Sequence, residues 1–96
     1  MKQFALGTLV TTRDVHDKMT RDSQFAEFVL TCIARHKTCD WGDLCNSDKR
    51  QNDEAVRTGD DRISSAYEPA DHPDWHIWII TEWDRSVTTV LFPDEY

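Results

Sequence analysis

The stretch that decides the fold is "DWHIWIITEWDRSVTTVLFPDEY", residues 74–96. Two β-rich runs, "WHIWIIT" and "VTTVLF", flank the polar segment "EWDRS". Period-two alternation on either side of a short polar turn predicts an antiparallel hairpin. In the first run Trp75, Ile77 and Ile79 lie on one side, and His76, Trp78 and Ile80 on the other. A strand that is apolar on both faces belongs inside a sheet whose second face is also covered. The alternation places Ile77, Ile79, Val90 and Phe92 in the core. Trp83, Asp84 and Arg85 fall at the turn, where side chains leave the core. An aromatic between Glu82 and Asp84, next to an arginine, combines apolar contact area with charge and makes the tip a candidate partner-binding surface.

Upstream, "RISSAYE" alternates and predicts a third strand ahead of a turn-rich "PADHPD". Before it, "SQFAEFVLTCIARHK" repeats Phe25, Phe28, Val29, Cys32, Ile33 and His36 at three- and four-residue steps, the signature of an amphipathic helix. Asp22 or Ser23 can cap its start, and Arg35, His36 and Lys37 suit its negative C-terminal end. "LCNSDKRQNDEAVRT" reads as a further helix, with Asp43 positioned to cap it and Gly59 to stop it. "TRDVHDKM" predicts a short helical turn, with Thr11 and Asp14 at capping-box spacing. Residues 4–11, "FALGTLVT", alternate loosely and predict a strand whose partner the pattern leaves open. Helices and strands segregate along the chain. The expectation is therefore one α+β domain over residues 1–96: an antiparallel sheet of three to four strands with two or three helices packed on one face.

The 96 residues carry 18 acids against 11 lysines and arginines, a net charge of −7. Direct binding to nucleic acid needs a basic surface, so this balance argues against it and favours a protein partner with a basic surface. No apolar run approaches the ~20 residues that span a bilayer, and the N-terminus lacks the long apolar segment of an export signal. These features, with an odd number of cysteines, predict a reduced, cytoplasmic protein that does not engage membranes.

Candidate chemistry is sparse. Cys32, His36, Cys39 and Cys45 lie close in sequence, but there is no C-x2-C pair, and Cys32 and His36 occupy the apolar helix face. They read as structural and no metal or other cofactor is expected. Asp14, His16 and Asp17 cluster, yet on a helix the histidine points away from the two acids. Asp48 and Asn52 fall on the inward stripe of the last helix, where apolar residues are expected. Either that helix is shallow with a polar margin, or the pair forms a polar pocket against Glu82, Asp84 and Arg85. No nucleophile–base order, phosphate loop or zinc-protease motif occurs, so the chain is not expected to be an enzyme.

"DWGDLC", "DKRQNDEAVRTGDDRISSAY" and "IWIITEWDRSVTTVLFPDEY" together span much of residues 40–96. They resemble a family of small, largely uncharacterised proteins carried on bacterial plasmids and conjugative elements. The resemblance supplies a setting and no catalytic residues. It implies a small acidic inhibitor of a bacterial defence system, anti-CRISPR-like, that binds a nucleic-acid-handling protein complex. The alternative is an accessory binding module for plasmid maintenance or transfer proteins.

Overall fold

The structure is a computed structural model that describes residues 3–96. Strand β1 (Thr8–Thr11) leads into helices α1 (Arg13–Arg21), α2 (Ser23–Lys37) and α3 (Asn46–Thr58). Strands β2 (Ile63–Tyr67), β3 (Ile77–Thr81) and β4 (Val87–Leu91) follow, with short 3-10 turns at Pro73–Trp75 and Pro93–Glu95. Thr12, rather than Thr11, caps α1, its hydroxyl accepting the Val15 N–H. Asp22 is a single-residue joint. Its N–H closes α1 on the Lys18 carbonyl, while its Oδ1 accepts the Gln24 and Phe25 N–H groups, each at 3.1 Å, to start α2. Asp43 does not cap α3, which begins after Cys45 without a side-chain cap. Its carboxylate instead accepts the Glu68 N–H at 2.7 Å. Gly59 ends α3 in the left-handed region, as its sequence position predicts.

The class is α+β, with strand order β1-β4-β3-β2. β2, β3 and β4 are antiparallel neighbours, but β1 joins β4 in parallel, so the sheet is mixed rather than wholly antiparallel. The reason lies in the residues ahead of β1. They do not continue the predicted strand. They cross the hairpin end of the sheet, where the Leu6 carbonyl accepts the Thr88 hydroxyl at 2.7 Å. Gly7 (φ 65°) then turns the chain against the backbone of Arg85 and Ser86. A chain that enters the sheet at the hairpin turn has to run alongside β4, in the same direction.

α1 and α2 cover one face. Val15, Phe25, Val29 and Cys32 from the helices meet Tyr67, Ile77, Ile79 and Val90 from the sheet, all essentially solvent-free. Each such aliphatic or aromatic side chain contributes about 1.5–3 kcal/mol on burial. Phe92 is only half-buried, at the rim of this cluster, where it stacks on Phe25. A second cluster of Trp41, Ala55 and Ile63, with Phe4, Leu44 and Val56 against it, seats α3 on β2.

A buried polar chain crosses the helix-covered face. Ser65 Oγ lies 2.6 Å from His36 Nδ1, His36 Nε2 lies 2.9 Å from Thr81 Oγ1, and Thr81 Oγ1 lies 2.7 Å from Thr88 Oγ1. Its direction follows from elementary hydrogen-bond counting. The Leu6 carbonyl can only accept, so the single Thr88 hydroxyl proton is committed to it. Thr81 must then donate to Thr88, His36 Nε2–H to Thr81, and Ser65 to an unprotonated Nδ1. Burial also pushes the His36 pKa down to about 3, so the ring is neutral at ordinary pH.

Candidate functional site

The hairpin tip is built by a type I turn, with the Arg85 N–H donating to the Glu82 carbonyl at 2.9 Å. Arg85 itself sits at φ 61°, a left-handed conformation usually left to glycine or asparagine. Its side chain explains how that strain is tolerated. Nη1 donates to the carbonyls of Asp61, Trp83 and Glu82, and Nη2 to that of Ala55 at 3.0 Å. The guanidinium thus ties the turn to the C-terminal end of α3 and to the loop after it. Arg85 is therefore a structural strut, not the outward charge expected from its place beside Trp83 and Asp84. All its acceptors are backbone oxygens.

That strut leaves the rest of the tip acidic. Glu82 and Asp84 flank Trp83, and the Asp61 carbonyl contact brings Asp60 and Asp61 to the same end. None of these four carboxylates is in an ion pair among the described residues. Asp84 is fixed by the Ser86 hydroxyl (2.6 Å) and N–H (3.1 Å), which hold its carboxyl below the ordinary range, so it stays ionised. Trp83 is 62 % exposed on this rigid turn. The other tryptophans are committed elsewhere. Trp41 is buried, Trp75 is half-buried between Phe25, Phe28 and His72, and Trp78 packs against Tyr96.

Asp48 and Asn52 do not join this tip. Asn52 is buried and spends its amide on the outer edge of β2, accepting the Ser64 N–H (3.2 Å) and donating to the Ser64 carbonyl (2.6 Å). It closes a strand edge, and with Asp48, Gln51, Asp61 and Arg62 it lines a cavity of about 270 Å³ instead of meeting Glu82, Asp84 and Arg85 as the sequence suggested. Asp48 stays exposed and faces a groove of about 290 Å³ on the sheet face opposite α1 and α2. Leu44, Ala66, Trp78, Ile80 and Tyr96 give the groove its apolar lining, and Arg62 stands over the Tyr96 ring while bonding its hydroxyl at 2.5 Å. Glu82 does not line it. Sequence reasoning missed Asp60, Asp61, Arg62 and Tyr96. The run "TGDDR" was the available signal for the first three. The two-faced strand β3 was the signal that something, here Tyr96 and the start of α3, must lie over its second side.

Cys32 is buried, and burial pushes its thiol up to about 12, far from a reactive thiolate. No group of three or more His, Cys, Asp or Glu side chains among the described residues could hold a metal ion. Asp14 and Asp17 line a shallow cavity of about 530 Å³ near Asp74 and Asp94, where Lys18 pairs with Asp74 at 3.0 Å. No helix among the described residues is long and apolar enough to cross a membrane. No protein-family model, curated protein or solved structure matches the chain.

Proposed function

We propose that the chain is a small acidic, non-enzymatic inhibitor of a bacterial defence system, anti-CRISPR-like, that binds a basic protein in a nucleic-acid-handling complex through its hairpin end. One observation carries the reading: an exposed tryptophan on a turn locked from beneath by Arg85, flanked by Glu82 and Asp84 with Asp60 and Asp61 at the same end, none of the four carboxylates in an ion pair among the described residues. An aromatic presented on a fixed turn supplies contact area with little backbone freedom lost on docking, which is the physics of an interface hot spot. The surrounding carboxylates speed approach to a basic surface meant for phosphates. The defence setting comes from the mobile-element resemblance, and the binding chemistry from the tip.

The test is a plasmid-interference assay in cells carrying a CRISPR system, paired with purification of the tagged chain at low salt. The expected result is rescue of the targeted plasmid and co-purification of a basic effector subunit. Trp83→Ala should abolish both while its melting temperature stays within a few degrees of wild type. A Trp83→Ala variant that melts far below wild type, or one that retains full rescue, removes the tip from the mechanism. Co-purification of plasmid transfer or partition proteins in place of a defence complex moves the assignment to an accessory module of the element.

A further inference from the structure

We propose that β1 is a self-pairing edge, and that two copies of the chain join antiparallel through it into one continuous eight-stranded sheet. The inference is independent of the hairpin tip and of the defence reading. Thr8 and Thr12 donate their N–H groups to the Ser86 and Val90 carbonyls of the β4 side. On a pleated strand the N–H and C=O groups of Leu9 and Thr11 therefore point away from the sheet. No hydrogen-bond partner for them is present among the described residues. Leu9 and Val10 are also 45 % and 39 % exposed, so the edge is apolar as well as unpaired.

Natural sheets blunt such edges with charge, proline, bulges or covering segments. Among the described residues β1 has none of these. It lies in residues 3–12, "QFALGTLVTT", the longest stretch without a charged residue in a chain of net charge −7. Two copies of so acidic a protein repel over most approaches, and a charge-free strand lets them meet without opposing carboxylates. This favours a second copy over a basic segment, which would find no acid on β1 to pair with. The sequence also sets the register. Leu9 and Thr11 carry the outward groups, so each pairs with the other residue of the second copy through two backbone hydrogen bonds, four in all. Val10 then faces Val10 across the two-fold axis. β1 starts at the hairpin turn, so the two Trp83 tips point in opposite directions.

Sedimentation velocity across a wide concentration range tests this. The wild type should pass from monomer to dimer as concentration rises. Val10→Glu sets two carboxylates face to face on the axis and should remain monomeric with an unchanged circular dichroism spectrum. In a Cys45→Ser background, Val10→Cys should cross-link on mild oxidation, since residues facing each other at a non-hydrogen-bonded site have Cα atoms about 4.5 Å apart, within reach of a disulfide. Leu9→Cys, offset from its own copy, should cross-link poorly. A wild type that is monomeric throughout, or a dimer that survives Val10→Glu, overturns the proposal. So does a monomer whose Leu9 and Thr11 amides become protected only on adding the co-purified basic subunit, because that assigns the edge to the other protein.

Discussion

The two edges of this four-stranded sheet are treated in opposite ways. At β2 every outward backbone group described has been met. Asn52 takes both polar groups of Ser64, the Trp41 carbonyl accepts the Ala66 N–H, and Asp43 supplies its N–H to the Ala66 carbonyl and its carboxylate to the Glu68 N–H. At β1 the corresponding groups of Leu9 and Thr11 face outward on an uncharged strand. The difference shows that edge protection here is bought residue by residue from α3 and the loop before it, and that it stops at one side of the molecule.

The hardest way to break the contrast is at Gly42, which brings the loop against β2 at φ 73°. An added Cβ would stand 2.0 Å from the Ala66 carbonyl oxygen and 2.7 Å from the Tyr67 ring. Gly42→Ala should cost about 3–4 kcal/mol, combining left-handed strain with the lost edge hydrogen bonds, and denaturant titration measures it. Asn52→Ala is the cleaner cut. It leaves Ser64 uncapped in a partly buried place and should cost about 1–3 kcal/mol. Hydrogen exchange should show the Ser64 amide losing its protection in this variant, approaching the fast exchange expected of Leu9 and Thr11 in the dilute wild type.

The polar chain through His36 runs across the helix-covered face from β2 to β4, and its pH response follows from burial. The folded-state pKa is lowered to about 3 from an ordinary 6.5. Between those values the unfolded chain takes up a proton that the folded chain refuses. The contribution is therefore intact above pH 6.5 and declines as pH falls toward 3, at up to about 1.4 kcal/mol per pH unit. His36→Gln should be less stable at neutral pH yet lose stability less steeply in acid, a difference of slopes that a denaturant series at several pH values resolves. At the mild end, Leu9→Ala on the open edge should change monomer stability by less than about 0.5 kcal/mol, as for an ordinary surface site.

How much of this was legible in the sequence depends on the range of the interactions. α2 was readable to its bounds because its apolar spacing and its Asp22 cap are local. The β3–β4 hairpin was readable because alternation and a polar turn specify it. β1 was half-legible. Its partner and direction are set by the crossing of residues 3–6 at the hairpin end, a tertiary contact that no periodicity reports. The same holds for the site residues. Asn52 in the sequence is a polar residue on an apolar stripe, and only the neighbouring edge of β2 turns it into a cap. Arg85 in a turn next to Asp84 reads as surface charge, because the carbonyls of Ala55 and Asp61 that claim it lie well upstream in the chain.

The hydrogen-bond chain from Leu6 to Ser65 also behaves as a one-way signal. The carbonyl of a single residue outside the sheet dictates, through two threonine hydroxyls, which nitrogen of His36 carries the proton. The imidazole's nitrogen-15 resonances are thus a remote reporter on whether the N-terminal segment is seated. If residues 3–7 lift away from the hairpin end, Thr88 is released, Thr81 regains a choice of partner, and the ring is free to exchange one tautomer for the other. A histidine in the centre of the molecule would register an event at its margin before any strand had moved.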